Sequence, residues 1–215
     1  MNVLKRMFSK EFFKRDFYIA LLAALLFSMI FSLAGFEEKC KQLRTNVLRL
    51  HIIANSDSAE DQQIKLKIRD ELLKTSNGLF ESAGNKNEAI KMVKENTELF
   101  KSAAQKVLKA SGKTEPVSIS IGKAYFDTRE YENFTLPAGE YDAVRVLIGK
   151  AEGKNWWCVM FPSMCIPAAE KKHSLTEAVD KESAEIAEKA PEYKVRFKIV
   201  EWYEDFKNSL KNLFN

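Results

Sequence analysis

Residues 17–36 read FYIALLAALLFSMIFSLAGF, a run without a single charge. A helix rises about 1.5 Å per residue, so a run of this length matches the roughly 30 Å hydrocarbon core of a bilayer. A buried core helix is the competing reading. Against it stand the basic residues just ahead, Lys5, Arg6, Lys10, Lys14 and Arg15 against only Glu11 and Asp16. A basic stub followed by an uncharged run is how export segments are built. Positive charge is retained on the cytoplasmic side, so residues 37–215 are expected outside the cytoplasm. Ser32-Leu33-Ala34 places small residues where a signal peptidase reads them, which favours cleavage after Ala34. The length of the apolar run favours retention as an anchor. The expected organisation is therefore 1–36, a cytoplasmic stub with a signal peptide or signal anchor, and 37–215, one extracytoplasmic domain.

Formal net charge is +4, but most of the surplus sits in that N-terminal stub. The rest is nearly balanced, which argues against a nucleic-acid-binding face. Hydrophobic residues make up 46% and aromatic residues 11% of the chain, enough to build a core and to set wholesale disorder aside.

Glu37–Asn46 reads as a short polar connector. Val47–Ala54 (VLRLHIIA) alternates, with Leu48, Leu50, Ile52 and Ala54 on one face and Val47, Arg49, His51 and Ile53 on the other, which predicts a strand. Ser58 with Asp61 three residues later signals a helix start, and Ile64, Ile68 and Leu72 stripe that helix to about Asn77-Gly78. A second, longer helix is predicted from Ile90, Val93, Thr97, Phe100, Ala104 and Val107, closed by Gly112. The period then becomes two. Val117, Ile119 and Ile121 predict a strand, with Tyr125-Phe126 and Arg129–Leu136 forming a second strand after a turn. A turn follows at Pro137–Glu140, and then Val144, Val146 and Ile148. Lys150–Lys154 reads as a hairpin connection to a returning strand, Asn155–Phe161. Residues 168–190 are expected to be helical. Past Pro191, Val195, Ile199, Trp202, Phe206, Leu210 and Leu213 stripe a C-terminal helix. Docking into the core is the expectation, and a face turned to a partner or membrane is the alternative. The order predicts an α+β fold, an antiparallel or mixed sheet packed against helices.

No catalytic set is recognisable, so the chain is not expected to be an enzyme. Only His51 and His173 exist, and no G-x-S-x-G elbow is present. No C-x-x-C, H-E-x-x-H or phosphate loop appears, so no metal and no cofactor is expected. A Cys158–His51 pair is the conceivable nucleophilic site, giving an alternative reading as a Cys-dependent hydrolase acting on cell wall. Cys158 lies in an apolar strand, however, where burial keeps a thiol inert. Cys158 and Cys165 flank Pro162; a disulfide and two buried thiols fit this spacing equally. His51, Asn55 and Asp57 cluster where the first strand meets a helix N-terminus, a place that favours anions. Turn-shaping by Asn55 and Asp57 is the plainer account. Trp156 and Trp157 are adjacent on a strand, so their rings point to opposite faces. Tryptophan is enriched at binding hot spots, which makes His51, Asn55, Asp57, Trp156 and Trp157 the candidate binding residues.

LRLHIIANSDSAEDQQIKLKIRDELL (48–73) and LPAGEYDAVRVLIGKAEGKNWWCVMFPSMCIP (136–167) resemble the signature stretches of the stage II sporulation protein R family. The resemblance covers roughly residues 18–167 and continues more weakly through EYKVRFKIVEW (192–202). It implies an intercompartmental signal of endospore formation, exported from the forespore into the space between the two septal membranes. The partner it implies is a membrane-embedded aspartic protease of the mother cell, the sporulation sigma-E factor processing peptidase, which removes the pro-sequence of pro-sigma-E. The membrane itself would be met through residues 17–36. The family's pattern supplies no catalytic residues to carry over.

Overall fold

The computed structural model describes residues 10–80, 82–162, 164 and 174–214. The chain divides into two compact units between Lys39 and Cys40.

The described part of the first unit, residues 10–39, belongs to helix α1, Lys10–Asn46. Its side chains from Phe17 to Phe31 are largely exposed, and it is long and apolar enough to cross a membrane. The polar connector expected at Glu37–Asn46 is instead the last part of this helix. The reason is local. EEKCKQLRTN contains no Gly or Pro, and Glu, Lys, Gln, Leu and Arg are good helix formers. Cys40, Leu43 and Val47 also recur at helical spacing and are completely buried.

The second unit is α+β. Its elements are β1 (Leu48–Ile53), α2 (Ala59–Phe80), α3 (Lys86–Glu95), α4 (Thr97–Ala110), β2 (Val117–Phe126), β3 (Arg129–Glu130), β4 (Thr135–Leu136), β5 (Gly139–Ile148) and β6 (Asn155–Phe161). A 3-10 turn at Leu175–Glu177, α5 (Lys181–Glu188) and α6 (Ala190–Phe214) follow. The main sheet has the order β2-β5-β1-β6 and is mixed: β1 runs parallel to β5 and antiparallel to β6.

This order corrects the expected β5–β6 hairpin, because β1 lies between the two strands. Leu48, Arg49, Leu50, His51 and Ile52 are all buried, as a strand needs to be when both of its faces and both of its edges are covered. The predicted long second helix is two helices with Asn96 at the join. Asn96 ends α3, donating through its side chain to Met92 O at 2.8 Å. The predicted strand over Arg129–Leu136 is the small β3–β4 hairpin. The Ser58 cap is as read, its Oγ accepting from the Asp61 amide at 3.1 Å, though α2 runs on to Phe80.

Helices α2, α3 and α4 cover one sheet face. Leu48, Leu50, Ile52, Val144, Val146, Ile148, Cys158 and Met160 meet Ile64, Ile68, Leu72, Val93, Phe100 and Ala104 there in one apolar cluster. Helix α6 packs against β5, and α5 against β4. The C-terminal helix does not dock by its apolar stripe: Phe197, Val200 and Glu204 are buried, whereas Val195, Trp202, Phe206, Leu210 and Leu213 are exposed. Residues 168–173, part of the segment expected to be helical, lie outside the described residues, as does His173.

Candidate interaction site

Alternation along β1 sends Leu50 and Ile52 to the helical cluster and Arg49 and His51 to the other side of the sheet. That second face is aromatic. The Arg49 guanidinium lies 4.2 Å from the centre of the Phe126 ring and 4.9 Å from that of Tyr141. Its Nε donates to the Cys158 carbonyl at 3.1 Å and its Nη2 to the Tyr131 hydroxyl at 2.7 Å. Among the described residues no carboxylate pairs with it, and its Nη1 has no hydrogen-bond partner. A wholly buried cation without a counter-ion is costly; the ring faces and the two hydrogen bonds offset part of that cost. Burial also pushes the Tyr131 and Tyr141 hydroxyls up, against the opposing pull of Arg49, so both stay neutral.

Farther along the same face, the His51 ring stacks on Trp157, with centres 3.7 Å apart and planes 15° from parallel. Phe126 meets Trp157 edge-on at 4.8 Å. His51 Nε2 lies 2.9 Å from Asn155 Oδ1, which orients the ring with Nε2–H as donor. Burial holds the imidazole pKa below its usual value; the Asn155 bond opposes this, and the charge of Arg145, its β5 neighbour, reinforces it. The Arg129 guanidinium lies 5.7 Å from a ring centre of Trp157. The result is an aromatic stack flanked by two arginines, with Trp157, Arg129 and Arg145 half-buried and Asn155 exposed. An open groove of about 1260 Å³ lies between the β3–β4 hairpin and the start of α6, lined in part by Tyr131, Phe134, Val195, Ile199 and Trp202.

The five expected residues are not one site. His51 and Trp157 are in contact. Trp156 points to the helical side, where the Arg69 guanidinium covers it at 4.5 Å. Asn55 and Asp57 are occupied by the protein's own backbone. Asn55 Oδ1 accepts from Lys150 N at 3.1 Å, and Asp57 Oδ1 from Lys154 N at 2.7 Å. Together with Gly153 N donating to Ala54 O at 3.0 Å, these bonds clamp the β5–β6 connection over the end of β1. The buried Lys65 adds a bond to the Lys154 carbonyl at 2.9 Å. The clamp demands two glycines. Gly149 has φ +55 and any Cβ there would overlap Asn55 Oδ1; a Cβ at Gly153 would overlap the Ser56 carbonyl oxygen. At the N-terminus of α2 Ser58 caps the Asp61 amide, and the Asp61 side chain turns back to the preceding loop. Its carboxylate accepts from Ser56 Oγ at 2.5 Å and Asn55 Nδ2 at 2.9 Å, and these bonds hold its pKa below the usual carboxylate range.

Cys158 faces the helical cluster and is disulfide-bonded, so no thiolate is available there to act as a nucleophile beside His51. Cys165 lies outside the described residues. No grouping of His, Cys, Asp and Glu fit to hold a metal occurs among the described residues. Arg49, Phe126, Tyr131, Tyr141 and Asn155 were not singled out from sequence. The one available signal was an arginine alternating with His51 inside an apolar strand.

Residues 44–173 match the family model described as Stage II sporulation protein R. The chain is 31% identical over 179 residues to the Stage II sporulation protein R of Bacillus subtilis (strain 168), covering 74% of this chain and 80% of that protein. No solved structure gives a significant match.

Proposed function

Since this chain belongs to the stage II sporulation protein R family, we propose that it carries a signal between the two cells of a sporulating bacterium. On this reading it is exported from the forespore into the intermembrane space. There it activates, by contact, the membrane-embedded mother-cell protease that processes pro-sigma-E, and it catalyses nothing itself. The observation that carries the reading is the extent of the match. It spans the sheet from β1 to β6, so the whole scaffold that presents the His51–Trp157 stack is shared with the family. The apolar helix α1 supplies the means of export or anchoring.

We place the protease contact at the outer end of the stack, on Trp157, Asn155, Arg129 and Arg145. Trp157, Asn155 and Arg145 are groups of the second sheet face that remain within reach of solvent, Arg129 stands on the β3–β4 hairpin beside Trp157, and two guanidinium groups suit an acidic surface. Asn55 and Asp57 contribute by holding the neighbouring loop. The test is reconstitution. The chain, the protease and the pro-sigma factor are co-expressed in a non-sporulating host, with and without residues 1–36. Processing that requires all three components and export is expected. Processing that proceeds equally without this chain, or with it retained in the cytoplasm, overturns the reading.

A further inference from the structure

We propose that the outward face of α6 is a lipid-docking surface that lies flat on an anionic bilayer. At about 100° per residue, Val195, Trp202, Phe206 and Leu213 lie close to one line along the helix, with Ile199 and Leu210 beside it. Phe197, Val200 and Glu204, the residues that seat the helix on the domain, lie on the opposite side. The apolar stripe is therefore not a misplaced core face. The helix has a separate core face, and the stripe is 64% exposed at Trp202, 64% at Phe206 and 78% at Leu213.

Charge selects the occupant. Lys194 and Lys198 flank the stripe on one side, Arg196 and Lys207 on the other, with Lys198 and Lys207 also paired to Glu201 and Glu204. This is where long cationic side chains on a helix lying in a bilayer surface reach up to the headgroups while their stems stay in the apolar layer. Three of the four acids of the helix are engaged within the protein; the fourth, Glu192, is exposed in its first turn. Glu201 pairs with Lys198 at 2.5 Å, Glu204 with Lys207 at 2.9 Å and with Arg44 at 3.8 Å, and Asp205 accepts from Tyr125 at 2.5 Å. From Phe206 onward the chain holds Lys207 and Lys211 and no acid. Only Glu37, Glu38 and Lys39 separate the uncharged run ending at Phe36 from Cys40, where the domain begins. The surface borders the protease contact proposed above, because Arg129 lines the same groove as Val195, Ile199 and Trp202, but Trp202, Phe206 and Leu213 are no part of that contact.

The experiment uses the full-length protein reconstituted through α1 into vesicles of phosphatidylglycerol and phosphatidylethanolamine with brominated acyl chains. Subtracting the fluorescence of the Trp202→Phe variant isolates Trp202 from Trp156 and Trp157. Because Trp202 is exposed, the substitution leaves the fold intact, which far-ultraviolet circular dichroism checks. Trp202 emission is expected to fall at least about twofold in the brominated anionic vesicles. The loss should shrink in phosphatidylcholine vesicles and in the Lys194→Glu/Lys198→Glu variant. Equal fractional quenching of wild type and Trp202→Phe overturns the proposal. So does cross-linking of the stripe to a second copy or another protein with Trp202 unquenched, which would make it a protein interface.

Discussion

Replacing Gly149 with Ala should be costly, and the cost should depend on who occupies position 55. Gly149 has φ +55, so an alanine there carries about 1–2 kcal/mol for the left-handed backbone. Its Cβ would also overlap Asn55 Oδ1 and approach Asn55 Cγ to 2.8 Å, an overpacking cost of about 1–3 kcal/mol. Together these predict about 2–5 kcal/mol of destabilisation. Asn55→Ala alone removes the bonds to Lys150 N and to the Asp61 carboxylate, about 1 kcal/mol each and somewhat more for the charged one. In the double variant the overlapping Oδ1 and Cγ are gone, and only the Asn55 Cβ, 3.1 Å away, remains. The double variant should therefore be less destabilised than the sum of the singles, by about 1–3 kcal/mol. The assay is urea and thermal unfolding of the full chain in detergent, where each kcal/mol moves the midpoint by about 2–4 °C. Strict additivity, to within about 0.5 kcal/mol, would refute the claim that Asn55 clamps the β5–β6 connection, and would return Asn55 to the list of free surface groups.

Arg49→Ala should destabilise by about 3–5 kcal/mol, leaving a cavity beneath Phe126 and unpaired oxygens on Tyr131 and Cys158. Arg49→Met fills much of the space and should recover more than half of that loss in the same unfolding assay. Equal losses for the two would deny the packing role. His51 predicts a pH dependence. Burial depresses its folded-state pKa below 6.5, so the unfolded chain binds the proton more readily. The contribution of His51 is complete above about pH 6.5 and is lost as pH falls through the folded value. His51→Phe should flatten that part of the stability profile, and an unchanged slope between wild type and variant would show that His51 is not the group responsible.

Local order was legible in the sequence, and non-local order was not. The strand period at Leu48–Ile53, the Ser58 cap and the stripe of α2 each rest on neighbours within a few residues, and each is where the reading placed it. The place of β1 between β5 and β6 depends on pairing with residues beyond Gly139, which no window along the chain contains. The full burial of β1 was nevertheless foreshadowed by apolar residues on both of its faces. At Glu37–Asn46 polarity was mistaken for loop, although Cys40, Leu43 and Val47 carry helical spacing. On α6 the stripe was read correctly and its destination wrongly. Periodicity reveals that a face is apolar, but not whether protein or lipid covers it. In the site, His51 and Trp157 were found by residue type, whereas Arg49 was passed over because a charge on a strand reads as solvent-facing.

The central position of β1 also governs when the domain can exist. Its two partners, β5 and β6, begin at Gly139 and Asn155, so the loops that must close before either ladder forms are among the longest the chain offers. A polypeptide delivered N-terminus first presents β1 early and must wait for nearly everything else before pairing it. Until Ile148 has emerged β1 has no strand partner, and its other edge stays open until β6 follows at Phe161. Both ladders of β1 therefore form late, and a chain truncated before β5 has no partner for β1.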